Sequence, residues 1–279
     1  AAFFAPQGSC PYQVGLLLDA ANRAGAPAAR LAERSADVHY RRIPAFIKAN
    51  FVARKLDEFA RSLRTQGKLP SSGESDSLAA VLQLQRPEWE TERHIYFGQR
   101  LYRLGQDSIG PVDAAQDPEV QSIMQLELPN FEKYIELLVA VRGNFHRRYL
   151  TDCLDSLLLK NRAGALLAQP KRGARRFSLD GRLLEVLLLI AVLQKDEAGV
   201  YRTEEIRVDD LLAFLAGRYG LYIDRLPPGD GFGEPSIEDR QALRENAAAF
   251  KQRLREVGYY RDLSDAYVTQ TIVPRYQIG

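Results

Sequence analysis

Few residues in this chain have the type and spacing that chemistry needs. His39, His94 and His146 are its three histidines, and Cys10 and Cys153 its two cysteines. None falls in an HxxxH, HExxH or CxxC pattern, so no metal-ligand spacing is present. The nucleophile elbow GxSxG and the phosphate loop GxxxxGK[ST] are both missing from the sequence. Gly229, Gly231 and Gly233 alternate in GDGFGEP, which superficially resembles a phosphate cradle. Pro227-Pro228 and Pro235 bracket it, no buried strand precedes it at the needed spacing, and it reads as turn punctuation. Glu204-Glu205 and Asp209-Asp210 are adjacent pairs, so one member of each points away from the other and they make poor acid–base partners. We expect no catalytic residues, no metal and no cofactor; an enzyme whose site assembles from dispersed residues is the third reading, behind two kinds of binding protein.

What remains is positive charge arranged to bind. Arg240, Arg244, Lys251 and Arg255 share a face of one helical stretch at 100° per residue, with Glu238, Glu245 and Glu256 on a separate arc. The like-charged i,i+4 pairs Arg240–Arg244 and Lys251–Arg255 each cost about 0.2–0.5 kcal/mol. A second cluster, Lys171, Arg172, Arg175 and Arg176, sits in NRAGALLAQPKRGARR, a stretch that reads as a linker. Basic arms of this kind reach into minor grooves. Arg261 and Arg275 flank the final strand pair and complete the candidate nucleic-acid contacts.

The elements that would position these residues fill the last hundred positions. Ser178 is a candidate cap for a helix with Leu183, Val186, Leu187, Ile190 and Leu193 at helical spacing, buried on several sides. VYRTEEIRV reads as one or two short strands, and Asp209 caps DDLLAFLAGRYG with Gly220 as its stop. Ser236 opens IEDRQALRENAAAFKQRLREVG, whose apolar stripe is Leu243, Ala247, Phe250, Leu254 and Val257. Alternation at Val268, Gln270 and Ile272 gives strands, with Pro274 holding that segment to a sheet edge. Helix, short strand, helix, long helix, strand pair is the order of a winged helix, a relative of the helix-turn-helix. The resemblance implies that the third helix touches DNA.

The rest of the chain reads as helical. Tyr12–Arg23 is expected to be a short helix with Val14, Leu17 and Leu18 inward. Val52, Leu56, Phe59 and Leu63 mark an amphipathic helix whose segment is the most basic in the chain, with Arg41, Arg42, Lys48, Arg54, Lys55, Arg61, Arg64 and Lys68 against Asp57 and Glu58. Acidic residues of the following section are placed to neutralise it. Trp89, Ile95, Leu101 and Leu104 are expected core positions. Asp117-Pro118-Glu119 and Asn130 are expected helix starts. Tyr134, Ile135, Leu138 and Val141, then Phe145, Tyr149, Cys153 and Leu157, run down one side of the longest helix, with Cys153 read as a core thiol. The histidines are read as structural or surface residues, with His146, Arg147 and Arg148 as an anion contact.

The expected fold is mainly α, a helical N-terminal domain followed by a winged-helix-like α+β module. Boundaries are expected at 1–35 (loosely packed), 36–160 (helical domain), 161–178 (basic linker) and 179–279 (winged-helix-like domain). A net charge of +2 favours no particular partner charge. Arginine far outnumbers lysine and alanine is abundant, which points to a bacterial source. The chain does not begin with Met and is expected to be an excised part of something longer. No run approaches the roughly 20 apolar residues of a membrane span, so a cytoplasmic protein without a membrane partner is expected. Two functions follow: nucleic-acid binding, DNA first, through the C-terminal module, or a helical scaffold whose winged module meets a partner protein or the remainder of a longer chain.

Overall fold

The computed structural model describes residues 14–70, 78–106, 118–169, 173–195, 199–229, 231–261 and 271–278. They form a mainly helical protein with small sheets, divided into two compact units. One is Arg42–Thr151; the other joins the residues before it to those from Asp152 onward.

The chain opens with strand β1 (Leu16–Leu17) and helix α1 (Pro27–Arg41). The helix expected over Tyr12–Arg23 is not formed among the described residues. Leu17 and Leu18 are buried as expected, but Val14 is exposed. Backbone pairing with a distant strand fixes this segment as extended, so its local helical spacing is overridden.

The Arg42–Thr151 unit contains α2 (Ile43–Thr65), α3 (Leu78–Gln83), α4 (Glu90–Gln106), α5 (Pro118–Gln125) and most of α6 (Asn130–Leu158). Pro44 in the first turn of α2 loses no hydrogen bond there. The stripe Leu56, Phe59 and Leu63 is buried as its spacing predicts, and Leu101 joins it from α4. At the centre Phe97 is fully buried, with ring centroids of Tyr96, Phe131, Tyr134 and Phe59 at 4.9, 4.7, 5.5 and 5.9 Å. Tilted and edge-on rings of this kind add to simple area burial. Several expected inward positions differ: Ile95 lies on the outer face of α4, and Val141 and Phe145 on that of α6. Tyr149, Leu157 and Cys153 are exposed too, because α6 turns its buried face toward Phe131, Tyr134, Ile135 and Leu138 and leaves the later stripe uncovered.

The second unit assembles both ends of the chain. It adds β2 (Leu167–Ala168), β3 (Arg176–Phe177), α7 (Gly181–Val192), β4 (Leu193–Lys195), β5 (Tyr201–Thr203), β6 (Ile206–Arg207), α8 (Val208–Tyr219), β7 (Leu221–Tyr222), α9 (Ile237–Glu256), β8 (Tyr260–Arg261) and β9 (Thr271–Ile272). β1 pairs parallel with β7, Leu16 opposite Leu221. β2–β3 and β4–β5 are antiparallel pairs, and a three-stranded sheet has the order β6-β9-β8. Leu184, Leu187, Leu188, Leu211, Leu215, Phe250, Leu254, Tyr259 and Ile272 fill one core with Leu18 and Phe177. The stretch read as a linker therefore carries two strands and buried Leu167 and Phe177. Of the segment read as loosely packed, Leu18 and Ala20 belong to the same core.

Helix ends follow local rules where a local rule is available. Gly220 closes α8 in the left-handed conformation, φ 67°, as its position predicts. Ser236 caps α9 with a reciprocal capping box to Asp239. Asp209 instead lies in the first turn of α8, after Arg207 at the cap. Ser178 is not a cap; it is buried, its backbone N–H donating to Leu166 O at 2.9 Å, and Asp180 begins α7. In α7 the inward residues are Leu184, Leu187, Leu188 and Ala191, while Val186 and Ile190 face outward. A helix that is apolar at nearly every position does not say which side is covered.

Candidate nucleic-acid interface

The basic residues of α9 owe their orientation to one buried amide. Asn246 is 2% exposed. Its Nδ2 donates to Leu18 O at 2.7 Å and to Ile223 O at 2.8 Å, and its Oδ1 accepts from Ala20 N–H at 2.9 Å. These bonds tie α9 to the segments that follow β1 and β7, and Ala242, Leu243, Phe250 and Leu254 are buried on the same side. A buried amide left without such partners would be costly, so the rotation of α9 about its axis is fixed.

The opposite side of α9 consequently presents Arg240, Arg244 and Arg255, all exposed, with Lys251 half-buried at the margin. Arg240 Nε donates to Pro235 O at 3.3 Å, and Arg255 lies 4.8 Å from the Tyr260 ring centroid and donates to Gln252 at 3.4 Å. Gln241 donates to Glu245 Oε1 at 3.1 Å, so the exposed side grades from arginines through glutamines to carboxylates. Arg253, which helical spacing alone did not single out, donates to Leu179 O at 3.2 Å and is a structural residue.

The other expected contacts are dispersed. Arg275 donates to Glu185 of α7 at 3.3 Å. Arg261 lies in β8, and its side chain, like residues Lys171 and Arg172 and the strand expected at Val268 and Gln270, falls outside the described residues. Arg175 and Arg176 are committed to carboxylates of their own unit. Arg176 is 5% exposed, its Nε donating to Asp19 Oδ2 at 3.1 Å and its Nη2 reaching Asn22 Oδ1 at 3.4 Å. Arg175 makes a two-pronged pair with Asp155 at 2.6 and 3.2 Å, and Tyr40 OH donates to the same carboxylate at 2.9 Å. A guanidinium buried against a carboxylate cannot also serve a groove, so Arg176 is a fixture of the fold.

Electrostatics agree with this division. Burial raises the Asp19 carboxyl above its ordinary value, opposed by the Arg176 bond and charge. Burial and the Asp155 bond push the Tyr40 hydroxyl upward. His39 bonds Gly15 O at 2.9 Å through Nε2, consistent with a structural role. Among the described residues no three His, Cys, Asp or Glu side chains gather in a way that could hold a metal ion. No helix among them is long and apolar enough to cross a membrane.

A family model described as methylation-associated defense system protein MAD7 matches residues 2–276. No curated protein and no solved structure matches the chain significantly. The match spans nearly the whole sequence, and the chain belongs to the MAD7 family.

Proposed function

Taking that membership as the premise, we propose that the protein is a non-catalytic, nucleic-acid-binding component of a bacterial methylation-associated defense system, contacting duplex DNA through a winged-helix-like module. The observation that carries the reading is the β6-β9-β8 order, with α7 before the sheet and α8 and α9 between its first and second strands. In a winged helix the strand before the second helix pairs with the last strand, and the pairing of β6 with β9, itself antiparallel to β8, supports that reading. Its third helix is α9, whose exposed side carries Arg240, Arg244 and Arg255. Those side chains would meet phosphates, with Lys251 at the edge and the antiparallel β8–β9 pair in the place of the wing. Phosphate contacts give affinity and register without sequence choice.

Fluorescence anisotropy of labelled duplex DNA tests this, with wild type and Arg240→Glu/Arg244→Glu at low and at physiological salt. Binding should fall with salt at a slope of about 0.9 per phosphate neutralised. The variant should bind weakly and with a shallower slope while remaining folded. Absence of duplex binding at low salt would sink the proposal.

One observation favours a partner protein as the second reading. Val186, Leu189 and Ile190 are 52, 39 and 41% exposed along one side of α7. Exposed apolar residues grouped in this way mark interaction surfaces. Here Val186→Glu/Ile190→Glu would abolish co-purification from cells carrying the intact defense system and leave duplex binding unchanged.

A further inference from the structure

The Arg42–Thr151 unit has a feature that the duplex reading does not use. A groove of about 380 Å³ runs between α2 and α6, with Phe46, Arg54, Arg142, His146 and Tyr149 among its lining residues. Among the described residues Glu58 is the one carboxylate lining it, and Lys55 Nζ donates to that carboxylate at 2.7 and 2.9 Å. Arg54 and Arg142 are exposed, and the ion pairs of the described residues leave both without a carboxylate. Three other basic groups of α2 are answered within the unit: Lys48 by Glu136, Lys55 by Glu58 and Arg61 by Asp57. Positive charge is therefore left over at this groove, while most of the α2 surface is neutralised.

Aromatic rings flank the same groove. Phe145 and Tyr149 are 69 and 67% exposed, their centroids 6.2 Å apart and their planes inclined by only 20°. Phe46 is 52% exposed on the α2 side. His146 is half-buried, held edge-on between Phe51 and Phe145 at 5.3 and 5.6 Å. Uncovered ring faces beside uncompensated guanidiniums match the alternation of planar base and phosphate in a polynucleotide.

We propose that the α2–α6 groove binds single-stranded nucleic acid, bases stacking on Phe145 and Tyr149 and phosphates meeting Arg54 and Arg142. A duplex does not fit this chemistry, because each base face is already covered by its neighbours. An acidic protein would answer the charge and leave the near-parallel rings without a planar partner. The volume suits one small planar group and its immediate linkage rather than a helix of another chain. This site lies in the unit that lacks α9 and does not depend on the duplex proposal.

The test is anisotropy of fluorescein-labelled oligo-dT and oligo-rU with the full chain, at low and at physiological salt. Phe145→Ala/Tyr149→Ala should weaken binding roughly 5- to 150-fold, the effect of losing one stacked base. Because both rings are exposed, circular dichroism should show this variant folded. Phe145→Tyr/Tyr149→Phe keeps both ring faces and should bind as wild type. Arg54→Glu/Arg142→Glu should weaken binding and flatten its salt dependence, whereas Arg240→Glu/Arg244→Glu should leave it intact. Wild-type affinity in the double-alanine variant, or loss confined to the α9 variant, overturns the proposal. So does absence of single-strand binding at low salt; an acidic aromatic peptide captured through Arg54 and Arg142 would then make the groove a peptide site.

Discussion

Rings hold the Arg42–Thr151 unit together, whereas buried polar groups register the unit made from the two ends of the chain. In the first, Phe97 is surrounded by four aromatic neighbours, and its ion pairs, Lys48–Glu136, Lys68–Glu92 and Arg61–Asp57, are at the surface. In the second, Asp19–Arg176 and Asn246 sit at 0, 5 and 2% exposure and join segments more than 150 residues apart in sequence. Apolar contacts are non-directional and tolerate small shifts, but a buried hydrogen bond admits one alignment. The difference explains where each unit can offer a site. Polar registration fixes the rotation of α9 and so decides which arginines face solvent. The ring-packed unit uses its aromatic face inward and still leaves Phe145 and Tyr149 uncovered beside free guanidiniums.

The largest effects should come from removing the material particular to each unit. Phe97→Ala should cost about 3–5 kcal/mol through lost transfer and a cavity. Arg176→Met should cost about as much, 3–5 kcal/mol, because it leaves the buried Asp19 charge unpaired. Denaturant titration gives the magnitudes, and hydrogen exchange should show the first loss within α2, α4 and α6 and the second around β1, β3 and α9. A Phe97→Ala effect spread evenly over both units would break the contrast.

A smaller effect should appear in acid, with opposite signs. The Asp19 carboxyl is raised by burial, so the folded protein binds that proton more tightly than the unfolded chain. Its contribution falls as pH rises from the ordinary carboxylate value, about 3.9, toward the folded one. The Glu92 carboxyl is lowered, first by its own backbone N–H and then by Lys68. Its contribution is present above the ordinary value and is lost as pH falls through the folded one. Urea midpoints against pH should therefore change in opposite directions in Asp19→Asn and Glu92→Gln relative to wild type. Parallel changes would count against the assignment.

The smallest effect belongs to the surface pairs. Arg61→Ala removes an exposed i,i+4 partner of Asp57 and should cost about 0.3–0.5 kcal/mol, declining with salt. A loss of several kcal/mol in thermal denaturation would mean that this pair is part of the framework.

The sequence by itself determined what depends on neighbours within a turn or two. The stop at Gly220, the box at Ser236, the helix starts at Asn130 and Pro118, and the stripe Leu56, Phe59 and Leu63 are all present where spacing and residue type put them. The exposed face of α9 was legible for the same reason, because 100° per residue is a local constant. Only the tertiary structure decided which apolar face finds a cover, and so Val186, Ile190, Phe145 and Tyr149, inward by periodicity, lie outward. It also decided which charges are spent inside the fold. Arg176 sits in a run of basic residues that reads as a flexible arm, yet its carboxylate lies 157 positions away. Pairing between residues that distant is set by the backbone register of β1 with β7 and β2 with β3, which no local pattern encodes.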